Sequence, residues 1–253
     1  SKAQYMMGEN CNYMRPYMVM RNLVQGGFLG EVFYAEGEYN HDCRYLIPKT
    51  PWRKQWLYDV GGITYGSHCL GPILSWFAND RISSVCCMGS GRSLNDLDGN
   101  PLQRDNSYVM LCKTEKNRLI KIKNNLSSPR PYGLNFVLEG TKGAYQSIGG
   151  TTVHRDELWL DGISEKETWD DLSKHEEKFV PKIWLDHTDE NNRDGHAGAD
   201  VITMIDYINA LYEGKKVPID IHAALDMTLP GLISQQSVLE NGKWLPVPDS
   251  RDW

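Results

Sequence analysis

Between Ser83 and Leu160 the chain repeats one local pattern: a short run rich in apolar, β-branched or aromatic residues, then a turn signal. The runs are Ser83–Met88, Tyr108–Lys113, Leu119–Asn124, Leu134–Gly140, Ala144–Ile148 and Glu157–Leu160. Gly99-Asn100-Pro101, Glu115-Lys116-Asn117 and Thr141-Lys142-Gly143 punctuate them. Parallel strands need crossover connections of a dozen residues or more, and most of these gaps are too short for one. The middle of the chain is therefore expected to be an antiparallel meander.

Helical periodicity flanks that stretch. Arg15–Gln25 places Val19, Leu23 and Val24 on one side, with Pro16 early and Gly26-Gly27 as a stop. Ser67–Phe77, Asp200–Tyr212 and Ile221–Ser237, the last carrying Pro230, complete the expected helices. Gln4–Met7 and Glu31–Tyr39 read as further strands, Tyr45–Tyr58 as a long loop, and residues 164–194 as charged and loop-like. The class is α+β, one broad, largely antiparallel open sheet with helices on one face. Ser83–Met88 and Tyr108–Lys113 carry apolar or thiol residues at both parities, so the other face is expected to be covered as well. With few helices left, that predicts oligomerisation through it, a homo-oligomer.

At 253 residues the chain suits a single domain, residues 1–253. Lys and Arg number 27 against 33 Asp and Glu, a formal charge of -6, which gives no field for gripping nucleic acid. No run reaches the ~20 apolar residues of a membrane span, and Ser1-Lys2-Ala3-Gln4 opens no leader-like apolar region. Six cysteines without CxxC spacing read as free thiols in a reducing, cytoplasmic setting. Eight tryptophans and thirteen tyrosines suit either a sugar-binding cleft or an aromatic core.

Polar clusters at element ends are the candidate chemistry, because functional groups gather on loops held by a rigid scaffold. They are Glu9-Asn10 with Tyr13 and Arg15; Tyr39-Asn40-His41-Asp42 with Arg44; Tyr65 with His68; and Arg193-Asp194-Gly195-His196. Tyr65 and His68, three apart at a helix start, can share a face as an acid–base pair, with Tyr39 and His41 opposite them. No HxH or HExxH spacing is present, so no metal is expected. Walker and GxSxG motifs are absent. Gly26-Gly27-Phe28-Leu29-Gly30 leads from a helix into a strand, the reverse of a dinucleotide fingerprint.

Several segments, in order along nearly the whole chain, carry a family likeness: Tyr5-Met6-Met7-Gly8-Glu9-Asn10, Tyr39-Asn40-His41-Asp42, Tyr65-Gly66-Ser67-His68-Cys69-Leu70-Gly71-Pro72, Ser128-Pro129-Arg130-Pro131-Tyr132 and Gly195-His196-Ala197-Gly198-Ala199-Asp200. The chain resembles the C-terminal domain of the Gfo/Idh/MocA sugar oxidoreductases, and within them the NAD-dependent, alpha-N-acetylgalactosaminidase-like glycosidases of glycoside hydrolase family 109. The resemblance implies that Tyr39, Tyr65, His68 and Tyr132 surround a sugar, with His196 close by. Where most of those oxidoreductases carry Asp four residues before the histidine, this chain has Thr64. The family's N-terminal Rossmann domain is missing from the sequence, so no cofactor is expected in this chain unless NAD is supplied with a Rossmann domain elsewhere.

Three readings follow. The first is a carbohydrate lyase, using a Tyr/His pair for NAD-independent β-elimination on a carbohydrate such as a uronic-acid polysaccharide, with Arg15, Arg44 or Arg130 clamping the carboxylate and Asn10 and Tyr13 lining the cleft. The second is the substrate domain of an NAD-dependent glycosidase or sugar oxidoreductase. The third is a non-catalytic sugar-binding or assembly domain.

Overall fold

The computed structural model describes residues 3–46, 48–54, 59–150, 154–187 and 196–253. Its centre is a nine-stranded sheet: β1 Val32–Asn40, β2 Ile82–Gly89, β3 Tyr108–Thr114, β4 Leu119–Asn125, β5 Gly133–Gly140, β6 Gly143–Gly149, β7 His154–Leu160, β8 Asp170–Asp171 and β9 Leu245–Pro246. The order across the sheet is β8-β7-β6-β5-β1-β4-β3-β2-β9. Every neighbouring pair is antiparallel except β1 and β4, which run parallel with Tyr39 opposite Asn124. Two antiparallel meanders, β2–β4 and β5–β8, thus flank a long central strand.

The helices are α1 Arg15–Gln25, α2 Ser67–Phe77, α3 Ser173–Phe179, α4 Lys182–Asp186, α5 Ala199–Tyr212 and α6 Ile221–Leu239. The first two have the bounds expected from their periodicity. Segment 3–9 is not a strand; the Met7 N–H donates instead to the Ile219 carbonyl at 3.0 Å. Within the charged stretch 164–194, β8, α3 and α4 are folded; Asn22 of α1 donates to the Phe179 carbonyl of α3 at 2.8 Å, and Phe28 in the turn after α1 meets the Phe179 ring edge to face at 4.8 Å. The expected loop Tyr45–Tyr58 begins within a short 3-10 helix, Arg44–Leu46, and holds a second, Pro51–Arg53; its positions 47 and 55–58 lie outside the described residues.

The core lies between one sheet face and α1, α2 and α6. Tyr17, Trp76, Phe136 and Tyr145 meet edge to face there, and the Trp76 indole N–H donates to the Tyr17 carbonyl at 2.8 Å. The backbone of β1 passes close beneath α2: a Cβ on Gly37 would lie 2.6 Å from that of Cys69. On β2, α6 is fixed where Ser237 Oγ accepts the Cys87 N–H at 2.9 Å.

The second face is the one expected to be covered by another copy, and a single chain leaves it open. Val85, Cys87, Met110 and Cys112 point into the core, but Met88 and Val109 are exposed, and Cys86 and Leu111 are only half-buried. Along its centre Lys121 pairs with Glu36, and Lys123 with Glu38. Within one chain this face is open. Among the described residues no helix is long and apolar enough to cross a membrane, and the six cysteines are free.

Candidate functional site

Three segments reach one edge of the sheet: the end of β1, the start of α2, and the turn entering β5. They bring Tyr39, Tyr65, His68, His41 and Tyr132 together. Tyr39 and Tyr65 stack at 5.5 Å with an interplanar angle of 17°. The His68 ring stands edge-on to both, at 5.2 Å from Tyr39 and 4.8 Å from Tyr65. Tyr132 meets Tyr39 at 6.0 Å and His41 at 5.4 Å.

Glu9 completes the arrangement, and sequence reasoning placed it in a cluster without giving it this role. Its carboxylate is 2% exposed, accepts the Cys11 N–H at 3.2 Å and lies 2.7 Å from His68 Nδ1. Burial alone would push its pKa up. The hydrogen bond and charge of His68, with help from Ser67 and the Cys11 amide, outweigh that and hold it below the ordinary carboxylate value. An ionised carboxylate only accepts, so Nδ1 carries the proton and Nε2 is left as the reactive nitrogen. The sequence signal for this was slight: an acid just ahead of a short helix, Asn10–Tyr13, whose amide it caps.

A second chain of contacts runs outward. Tyr39 Oη is 2.8 Å from His41 Nδ1, and His41 Nε2 is 2.9 Å from Tyr45 Oη. Burial lowers the His41 pKa and raises that of Tyr39 far above the usual phenol range, so both are neutral near pH 7. A neutral imidazole accepts at one nitrogen and donates at the other. His41 thereby links buried Tyr39 to half-exposed Tyr45, another partner missed in the sequence. Burial also raises Tyr132, to about 12, and Tyr65, where a hydrogen bond from Arg53 opposes it.

The remaining predicted residues lie elsewhere. Tyr13 is buried and donates to Asp206 of α5 at 2.9 Å. Arg15 pairs with Glu176 of α3 at 2.9 Å. Arg44 binds Asp42 through Nε and a terminal nitrogen at 2.8 and 2.7 Å. Arg130 reaches Glu38 at 3.4 Å. Charge and position had made these arginines candidates, but acids distant in sequence, or local in the case of Asp42, engage them. Asn10 donates to Asp200 at 2.8 Å, and the exposed His196 binds the other oxygen of that carboxylate at 2.8 Å, which ties both to the rim beside Glu9. Arg193, Asp194 and Gly195 lie outside the described residues.

A cavity of about 290 Å³ opens beside Tyr65, lined by Trp52, Arg53, Ile63, Leu126 and Leu232 among others. It is mostly apolar and suits a ring-sized group. A larger one, about 510 Å³, lies behind α2 and holds none of the predicted residues; its Arg81, Arg251 and Asp249 pair with one another. Among the described residues, Glu9, Cys11 and His68 converge within 4.8 Å, a spacing open to a metal ion. Burial pushes the Cys11 thiol well up, and Glu9 engages His68 Nδ1 by a hydrogen bond. The Gly26–Gly30 run stands between α1 and β1, a helix-to-strand turn rather than the strand-to-helix turn that cradles a dinucleotide's phosphates.

Comparison with known proteins places this geometry in context. Residues 103–252 match a family model described as glycosyl hydrolase 109, C-terminal domain, and residues 17–146 one described as GFO/IDH/MocA C-terminal domain. A glycosyl hydrolase family 109 protein of Streptomyces filamentosus is 28% identical across 98% of this chain and 53% of its own length. One from Parabacteroides distasonis is 26% identical across 95% and 59%. The chain thus spans a little over half the length of the curated relatives it matches. In fold it is similar to an NAD binding oxidoreductase from Klebsiella pneumoniae, with TM-score 0.73 and 14% identity over 95% of this chain and 65% of that one. It is also similar to a levoglucosan dehydrogenase in complex with NADH and levoglucosan, with TM-score 0.69 and 14% identity over 97% and 66%.

Proposed function

The chain belongs to the glycosyl hydrolase 109 C-terminal-domain family, of the wider GFO/IDH/MocA type, and on that premise we propose that it is the sugar-binding, acid–base half of an NAD-dependent glycosidase. The observation that carries the reading is the Glu9–His68 pair at 2.7 Å, set against the stacked Tyr39 and Tyr65. A buried carboxylate that fixes one imidazole nitrogen leaves the other as a general base or acid of defined direction. Tyr39, with its proton path through His41 to Tyr45, is a second acid–base group facing the same space. Redox chemistry in this reading belongs to a dinucleotide-binding half of the kind the family resemblance implies, outside the described residues. No hydride step is assigned to residues of this chain.

The cofactor-free lyase reading has less support. It needs a guanidinium free to neutralise a uronate carboxylate, and each of the three arginines named for that task is engaged with a protein acid. The relatives are also named as glycosyl hydrolases, not lyases.

The test is reconstitution. The chain fused to the dinucleotide-binding half of a family 109 relative, with NAD, is expected to hydrolyse nitrophenyl glycosides of N-acetylhexosamines. His68→Ala should lower turnover on the order of 10²-fold or more. Equal turnover by the His68→Ala fusion would defeat the proposal. Unsaturated products from uronic-acid polymers with the chain alone would restore the lyase reading.

A further inference from the structure

The loop that delivers Tyr65, from Gly61 to Gly66, has no regular structure, so no backbone ladder fixes it. Side chains from two distant elements do. Ser234 of α6 accepts the Ile63 N–H at 2.8 Å. Arg104, between β2 and β3, donates to the Gly62 carbonyl at 3.2 Å and to Thr64 Oγ1 at 3.1 Å. Arg104 is 3% exposed, and its guanidinium lies over the Tyr108 ring, 4.9 Å from its centre. Gly62 has φ +80°, and a Cβ there would come within 2.6 Å of Ser234 Oγ, so the loop is pressed against α6 on its other side.

From this we infer that Arg104 is a positioning residue for Tyr65: through Thr64 it sets the ring that stacks on Tyr39 and stands against His68. The inference rests on the reading that Tyr65 and His68 act on a sugar, and it names a determinant of that site which touches no substrate. The physical reason is coupling. A buried guanidinium is costly unless its donors find acceptors, and two of the acceptors here belong to the loop, at Gly62 and Thr64. Moving the loop therefore costs Arg104 two of its acceptors, and altering Arg104 releases the loop. Only a planar fork reaches a carbonyl and a hydroxyl two residues apart in a fixed geometry; a lysine ammonium is a single point of attachment. Thr64 is the link that makes the clamp local, because its hydroxyl lies one residue before the tyrosine.

The test needs no turnover. In the full chain, the ring-proton resonances of His68 carry a ring-current shift from Tyr65, which lies 4.8 Å away at an interplanar angle of 86°. Thr64→Val keeps the shape at position 64 and removes the acceptor, Thr64→Ser keeps the hydroxyl, and Arg104→Lys keeps the charge and loses the fork. The Val and Lys variants are expected to shift the His68 and Tyr65 lines, while the Ser variant reproduces the wild-type spectrum. The lines of His175, His187 and His222 are expected to stay in place in all three. Unmoved His68 and Tyr65 lines in Thr64→Val and Arg104→Lys would overturn the inference. So would a collective shift of every histidine, which marks general loosening. A separate titration of the wild-type chain with N-acetylhexosamines tests the sugar reading. If sugars leave His68 and Tyr65 unperturbed while the variants behave as expected, the sugar reading fails and the role of Arg104 stands.

Discussion

Glu9 shows how much one buried carboxylate can decide. In Glu9→Gln the amide can either accept from Nδ1–H or donate to Nδ1, so the imidazole loses its fixed tautomer. In the reconstituted enzyme, turnover is expected to fall on the order of 10²-fold or more, because an unoriented base is mostly in the wrong form. Tyr39→Phe should cost a comparable factor. Alanine at His154, His175 or His187 should stay within about threefold, since these side chains lie away from the cluster and surface changes are mild. The pH dependence of stability adds a second readout. The folded-state pKa of Glu9 lies below its ordinary value of 4.5, so its contribution is complete above that pH and is lost as pH falls through the lower, folded value. Melting curves of the wild type and Glu9→Gln are expected to converge on acidification below pH 4.5. Parallel curves across that range would remove the charge from the account.

At the scale of elements, the site depends on how closely α2 lies on β1. Gly37 permits this, since a Cβ there would meet the Cys69 Cβ at 2.6 Å and Ile122 Cδ1 at 3.2 Å. Gly37→Ala must push the helix outward, and overpacking of this kind costs about 1–3 kcal/mol. A lower denaturation midpoint with an unchanged m-value is expected, together with weaker sugar binding, because α2 carries His68. An unshifted midpoint would mean that the contact relaxes without strain. The sequence revealed α1 and α2 to the residue, since periodicity and flanking glycines are local signals. It placed the long strands within three residues, and Tyr39, His41, Tyr65 and His68 by their positions at element ends, while Tyr132 came only from the family resemblance. It did not reveal the parallel pairing of β1 with β4, which depends on partners about 85 residues apart. Nor did it show that Glu9 lies against His68, or that Glu176 and Glu38 engage Arg15 and Arg130. Those pairings exist only once the sheet has formed.

For the whole molecule, the open sheet face is the largest feature that a single chain leaves unexplained. Along its centre Glu36 pairs with Lys121, and Glu38 with Lys123 and Arg130, while Asn135 also donates to Glu38. Burial would raise the pKa of Glu38, yet hydrogen bonds from Lys123 and Asn135 and the Lys123 charge hold it down to about 2. Its pairing is therefore complete above the ordinary carboxylate range and is lost only as pH falls towards 2. A face neutralised in this way does not repel a second copy, and Met88, Val109 and Ile148 add exposed apolar surface around the pairs. Stable association needs roughly 800 Å² from each partner, and a nine-stranded face is broad enough to offer it. We propose that two copies meet there. Sedimentation at micromolar concentration should find an oligomer that persists from pH 5 to 8 and in high salt, since charges already paired within each chain leave little for salt to screen. Ile148→Asp, which replaces exposed apolar surface with a carboxylate on this face, should yield a monomer with the wild-type melting temperature. A wild-type chain that sediments as a monomer would show that the face is solvated, with its ion pairs serving the sheet alone.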